Sequence, residues 1–438
     1  MRSLHSSLGM KLGMPASALC LLLVSAGADG CSSEDRPPAA GSSSGGMIDA
    51  SVDHNAGGDG GSDTDATPAG DGGSALPLGD LATVDEPDIP CVTSSGTRTQ
   101  LFDKGDSGSG GPAVSNVYVL GTRRLAAGPS LQGFITFDPT GATPSLFEAS
   151  LGSTATLFAS EGTTIGGVGV SNGKVDYQRY DAQGAPSGGL VSVASGITDG
   201  PSSGWSASGD GGTLAVWLSG STLFGAGVTA AGAAAGPPFT IDTGISSAHV
   251  AITYSGGKYA IAYAFAAGTA AAARFVYASL TAKMGAPVNL ASADAIQPVA
   301  IAPTSAGFLM VIDAGGDEHV YTVPLDTTGK VSGTAHRLLG GDLPWGLAAH
   351  ANDAALVVLT NDTKVGMSEG PRAPQFRPLD ITGKPTGPWV CLDGRISAGQ
   401  NQDMGILAES DGSYSVVYKS VGDTTMLARL NKLGTAAP

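Results

Sequence analysis

Charge and aromatic rings are scarce in this chain of 438 residues, where charged residues make up 14% and aromatics 6%. Lys and Arg together number 22 against 38 acids, for a formal net charge of −16. Without a basic footprint, the sequence argues against a nucleic-acid partner. Long apolar runs are missing too. The stretch Leu12 to Val24 is interrupted by Pro15 and falls short of the roughly 20 residues a membrane-spanning helix needs. Histidine occurs only six times, and His54, His249, His319, His336 and His350 form no pair at metal-ligand spacing. Neither a metal nor a cofactor is expected. Long runs of strong helix formers are absent, which excludes a helical bundle or coiled coil. In their place stand 67 Gly and 26 Pro, a composition that suits many short strands joined by turns.

Arg2 and Lys11 precede the apolar Leu12–Val24 stretch, which is the pattern of an export signal. Two cleavage readings compete. Ala26-Gly27-Ala28 fits ordinary signal peptidase, and Ala28-Asp29-Gly30-Cys31 resembles a degenerate bacterial lipobox with Gly before the cysteine. Ala28 and Asp29 depart from the usual lipobox, whereas Ser32-Ser33 and the polar stretch beyond favour it. We expect a lipoprotein signal peptide over 1–30, with Cys31 lipidated and anchoring the chain to a membrane. Simple secretion is the alternative.

Residues 31–90 hold twelve acids and a single base, Arg36. Gly, Ser, Asp, Ala and Pro dominate, and Met47, Ile48, Leu76 and Leu78 are few apolar groups for so long a stretch. Such a segment is expected to remain a disordered, self-repelling tether. The Asp59–Gly73 run does not match a calcium loop, since Pro68 and Ser74 occupy the positions of its Gly and Glu.

From residue 91 onward one element recurs: a strand that ends in a tight turn containing Gly, often preceded by an acid. It ends at Gly141, Gly184, Gly232, Gly285, Gly329, Gly383 and Gly434, a mean period of about 49 residues. Alternating apolar pairs such as Val250–Tyr254 with Tyr259–Tyr263, or Met404–Ala408 with Tyr414–Tyr418, flank a hairpin within each later copy. A further strand follows each repeat Gly, giving four strands per copy. The last copy lacks its fourth strand, and Thr97–Phe102 is a strand without a copy of its own. Joining the two would close a ring and remove its open edge. Cys91, just before that strand, and Cys391, in the fourth strand of the preceding copy, are then expected to meet as a disulfide in an oxidising compartment.

In period and strand pattern, residues 91–438 resemble the seven-bladed β-propeller superfold. The fold class expected is all-β, a single propeller closed by an N-terminal strand. The Trp-Asp, kelch and quinone-enzyme signatures are absent. With its lipobox, acidic tether and repetitive body, the chain looks like cell-envelope lipoproteins of myxobacteria-type bacteria. That resemblance implies an exported, outer-membrane lipoprotein.

Several catalytic echoes fail. Gly105-Asp106-Ser107-Gly108 and Ala348-Ala349-His350 echo trypsin-like motifs, but two extra residues interrupt the first and the order is reversed. Ser107 is therefore read as part of a turn. Gly166-Gly167-Val168-Gly169 lacks a dinucleotide fingerprint.

Loops leading into the innermost strands commonly carry a propeller's ligand. Aligning the copies on their hairpins picks Trp205, His249, Gln297, Trp345, Gln402 and Asp403. Indole rings, amides and an imidazole suit stacking and hydrogen bonding to a sugar or peptide. The function expected is a monomeric, non-enzymatic binding or scaffolding module for an envelope protein or glycan. One alternative is a propeller hydrolase or lyase acting on glycans, which would need converging carboxylates. The other is a purely structural envelope protein.

Overall fold

The computed structural model describes residues 76–77, 81–86, 91–93, 98–102, 114–127, 133–147, 151, 155–171, 173–197, 203–267, 270–293, 296–314, 319–338, 343–361, 372–392, 404–420, 424–435 and 437. All lie in the compact unit Pro68–Pro438. The expected signal peptide over 1–30, the expected tether up to residue 75 with Cys31, and Ser107, Gln402 and Asp403 fall outside them.

The protein is a seven-bladed β-propeller. Seven antiparallel sheets follow one another along the chain, spanning residues 116–147, 155–195, 203–243, 245–293, 297–338, 343–391 and 404–430, and we number the blades in that order. Within a blade the first strand lies innermost. The second strand is buried between neighbouring blades; in blades 3 and 7 (Gly212–Ser219 and Tyr414–Lys419) every residue of it is buried. Such strands read as continuous apolar runs because both faces are covered. Each junction between adjacent blades is filled by its own apolar cluster, including blade 7 against blade 1, where Val417 and Leu427 meet Val117, Ala126 and Phe137.

The repeat turn has a common hydrogen-bonding scheme. Asp326 Oδ1 accepts from the Thr328 amide at 2.8 Å, the Thr328 hydroxyl at 2.7 Å and the Lys330 amide at 3.0 Å. Asp138 and Asp380 do the same with Thr140 and Ala142, and with Thr382 and Lys384. In blade 7 Asn431 takes over, accepting from Leu433 and Thr435. The Thr140 hydroxyl holds the Asp138 carboxyl below the usual carboxylate range. The Gly in each turn has positive φ, +82° at Gly329 and +87° at Gly383, a region disfavoured for residues with a Cβ. Each turn also docks on the preceding blade. Thr322 of blade 5 donates to the Gly383 carbonyl at 2.8 Å, and Tyr277 of blade 4 donates to the Thr327 carbonyl at 2.7 Å.

The ring closes as the sequence anticipates. Strand β4 (Arg98–Phe102) pairs antiparallel with Thr425–Leu430 and completes blade 7. Across the same seam, Arg124 of blade 1 reaches Glu409 of blade 7. Its Nε lies 2.9 Å from both carboxylate oxygens, and the Ser415 hydroxyl donates to the same carboxylate at 2.5 Å. Arg124 is 8% exposed and Glu409 2%.

Upstream of β4 the structure departs from the expectation that residues 31–90 form only a spacer. Strands β1 (Leu76–Pro77), β2 (Thr83–Glu86) and β3 (Val92–Thr93) add parallel fifth strands to the outer edges of blades 4, 5 and 6 in turn. The chain therefore girdles four consecutive blades before entering blade 1. Leu81, which a purely compositional reading leaves out of account, explains part of this. Leu81 is 5% exposed within the apolar cluster between blades 4 and 5. Two of the acids do more than repel. Glu86 is buried against His336 at 2.7 Å, and Asp85 pairs with Arg337 at 2.6 Å. A disulfide joins Cys91 to Cys391, their Cα atoms 5.5 Å apart. It pins β3 to blade 6. With the two cysteines 300 positions apart in sequence, cross-linking restricts the unfolded chain by up to about 5–6 kcal/mol on the loop-entropy scale.

Candidate functional site

The first strands of all seven blades surround a central cavity of about 680 Å³, within the ~300–1,000 Å³ of typical small-ligand sites. Trp205 and His249, both picked from the sequence, line it together. Trp205 is half-buried; it lines the cavity and also packs against the apolar cluster between blades 3 and 4. His249 is solvent-exposed, yet desolvation holds its imidazole below the usual histidine range, so it is neutral at pH 7.

His249 is placed by a β-bulge. The register of the first strand of blade 4 breaks between Ile245 and Val250. Blades 5 and 6 also break, between Pro298 and Ala300 and between Pro344 and Gly346, one pair nearer their hairpins and with a single inserted residue each. Val299 and Trp345 are the inserted residues and, counted back from the hairpins, align with Val250, the neighbour of His249. A bulge re-aims a side chain out of the ladder, and such irregularities concentrate near functional sites. Aligning the copies from sequence selects Gln297, two residues short of this position. Gln297 is the first residue of its strand, and the described cavity lining takes Val299 instead. For Trp345 the structure describes the backbone only.

Residues that the sequence reading passes over complete the lining. Tyr118 of blade 1 and Tyr254 of blade 4 add aromatic faces, and Ser115, Asn116, Ser206 and Thr253 add hydroxyl and amide groups. Burial raises the Tyr118 hydroxyl well above the usual tyrosine range, so it stays protonated. Tyr254 stands five positions beyond His249, an odd offset, so the strand period of two does not lead to it. No Asp, Glu, Lys or Arg stands among the described lining residues.

The histidine of the protease echo lies elsewhere. His350 Nε2 donates to the Glu409 carbonyl at 2.9 Å, while Nδ1 lies 2.8 Å from Asp353 Oδ1 and 3.1 Å from the Tyr414 hydroxyl. Tyr414 donates to the same Asp353 oxygen. These partners belong to blades 6 and 7, so the cluster latches the two blades. Both imidazole nitrogens are engaged in that latch. Among the described residues, no group of three or more His, Cys, Asp or Glu converges as a metal site.

No family model matches the chain and no curated protein matches it. Similar solved structures include the AfRom2 CNH domain, 12% identical over 76% of this chain and 99% of that one, with a TM-score of 0.43. The Dos1 propeller is 11% identical over 79% and 97%, TM-score 0.43. Kluyveromyces lactis Hsv2 is 9% identical over 70% and 90%, TM-score 0.44. The similarity is one of fold.

Proposed function

We propose that the protein is a non-enzymatic binding module whose ligand, a protein or a glycan, sits in the central channel. In this reading a lipid on Cys31 holds the propeller at the bacterial envelope, with the acidic segment as spacer. The observation that carries the binding part is the lining of the central cavity, where Trp205, His249, Thr253 and Tyr254 set stacking and hydrogen-bonding groups around about 680 Å³. The glycosidase alternative would require two carboxylates about 5–10 Å apart, and no carboxylate is among the described lining residues.

Two variants test the two halves of this reading. Trp205→Ala should abolish retention of envelope proteins or polysaccharides by the immobilised protein while leaving its thermal midpoint within a few degrees of wild type. Equal capture by both proteins would refute a channel site. Cys31→Ser should move the protein from the membrane fraction to the soluble fraction and abolish its labelling by a fatty-acid probe. Unchanged labelling would exclude the anchor.

A further inference from the structure

The channel wall is divided. Every described residue that blades 5, 6 and 7 contribute to the lining is apolar, with Ala300, Leu347, Ala349 and Leu407 among those that stay half-buried. The hydroxyls, the amide and the aromatic rings all come from blades 1 to 4. The channel therefore presents a hydrogen-bonding side facing an apolar side, with no formal charge on the described part of either. This is notable in a chain carrying −16 overall.

The division discriminates between ligand chemistries. A charged ligand entering the channel would lose its hydration and find no counter-charge among these residues. A saccharide carries hydroxyls around its whole perimeter. Those meeting blades 5 to 7 would find no side-chain donor or acceptor among the described residues, at a cost of about 1–3 kcal/mol each where water is excluded and the strand-edge backbone is not reached. An extended peptide has the complementary symmetry. Successive side chains point to opposite sides with a period of two, so alternating apolar and neutral polar residues give one apolar and one hydrogen-bonding face. Laid along the channel, the first face packs on the Ala300 and Leu347 side. The second meets Ser206, Thr253 and His249, which is neutral at pH 7.

From this division we infer that the channel binds an extended, uncharged peptide segment whose residues alternate apolar and neutral polar. The inference rests on the channel-binding function proposed above and names its ligand class.

The test is selection of a displayed random hexapeptide library on the full chain, in parallel with Ala300→Asp and Ser206→Ala variants, and with a neutral glycan array probed by the same three proteins and by Trp205→Ala. The expected result is enrichment of peptides that alternate apolar residues with Ser, Thr, Asn or Gln and are depleted of Asp, Glu, Lys and Arg. Ala300→Asp should weaken their binding at least tenfold and Ser206→Ala several-fold, with circular dichroism melts matching wild type. If Ala300→Asp melts early, Leu347→Ser, which also makes the apolar side polar, takes its place. Enriched peptides that are charged or lack alternation, or whose binding ignores both variants, would overturn the inference. Glycans bound in a Trp205-dependent manner with no peptide enriched would overturn it and leave the channel-binding function standing. No probe bound by any route would sink both.

Discussion

Replacing Glu409 with alanine is expected to destabilise the propeller by about 3–5 kcal/mol, enough to lower the urea midpoint severely in a protein of ordinary stability. The reason is what remains. Arg124 is 8% exposed and both of its contacts to the carboxylate oxygens through Nε, at 2.9 Å, would vanish. A buried guanidinium without its counter-charge keeps its full desolvation penalty. The seam between blades 7 and 1 is also where the ring closes, so the loss falls on the junction that holds the first blade to the last. An exposed pair supplies the control. Asp85, on the girdling strand, pairs with Arg337 with its side chain 57% exposed, and Asp85→Ala should cost no more than about 1 kcal/mol. Removing both partners is a sharper test. Glu409→Met with Arg124→Met fills similar volume with no charge to leave stranded, and should recover most of the stability lost by Glu409→Ala. Urea unfolding of the four proteins measures each effect. A loss below about 1 kcal/mol in Glu409→Ala would show that the pair does not hold the seam.

The girdling strands show where sequence reading stops. The blades were legible because most of them repeat the same physical solution: an Asx-type turn ending in a positive-φ glycine, then a strand. Asp138, Asp326 and Asp380 carry that signature in their side-chain bonds as well as in their spacing. Strand β4 was legible because the last copy lacked a partner of its length. Strands β1 to β3 have two to four residues each, too short for any period to emerge, and they lie among acids and glycines that read as a solvated spacer. What places them is tertiary: an open edge on each of blades 4 to 6, the burial of Leu81, and the partners His336 and Arg337, 250 and 252 residues away in sequence. At the site, Trp205 and His249 were legible because they stand at the start of innermost strands. Gln297 lies before the break in blade 5, and the described cavity lining begins two residues later at the inserted Val299.

Gly329→Ala should cost about 2–5 kcal/mol, and two separable effects make up that figure. The first is backbone strain. Gly329 has φ of +82°, where an L-residue with a Cβ is disfavoured by about 1–2 kcal/mol. The second is collision between blades, because a Cβ at Gly329 would fall inside the ring atoms of Phe275 on blade 4. That ring has nowhere to go. It is 1% exposed, set edge-on to Tyr277 at 4.9 Å and tilted against Phe308 at 5.5 Å. Overpacking of this kind adds about 1–3 kcal/mol. Gly285 of blade 4, which follows the turn closed by Ser279 and Ala282 and lies within the strand Lys283–Ala293, separates the two effects. Its φ is +86°, and a Cβ there would meet nothing within 4 Å. Gly285→Ala should therefore show the backbone cost alone, and the difference between the two variants measures how tightly a turn is seated on the blade before it. Adding Phe275→Leu to Gly329→Ala makes room for the methyl group, so the pair should lose less than the sum of the single losses. Equal destabilisation by Gly329→Ala and Gly285→Ala, or strict additivity with Phe275→Leu, would mean that the repeat glycines serve the turn's φ alone. The larger loss expected at Gly329 would mean that the glycine of one blade also sets the packing distance to the blade before it.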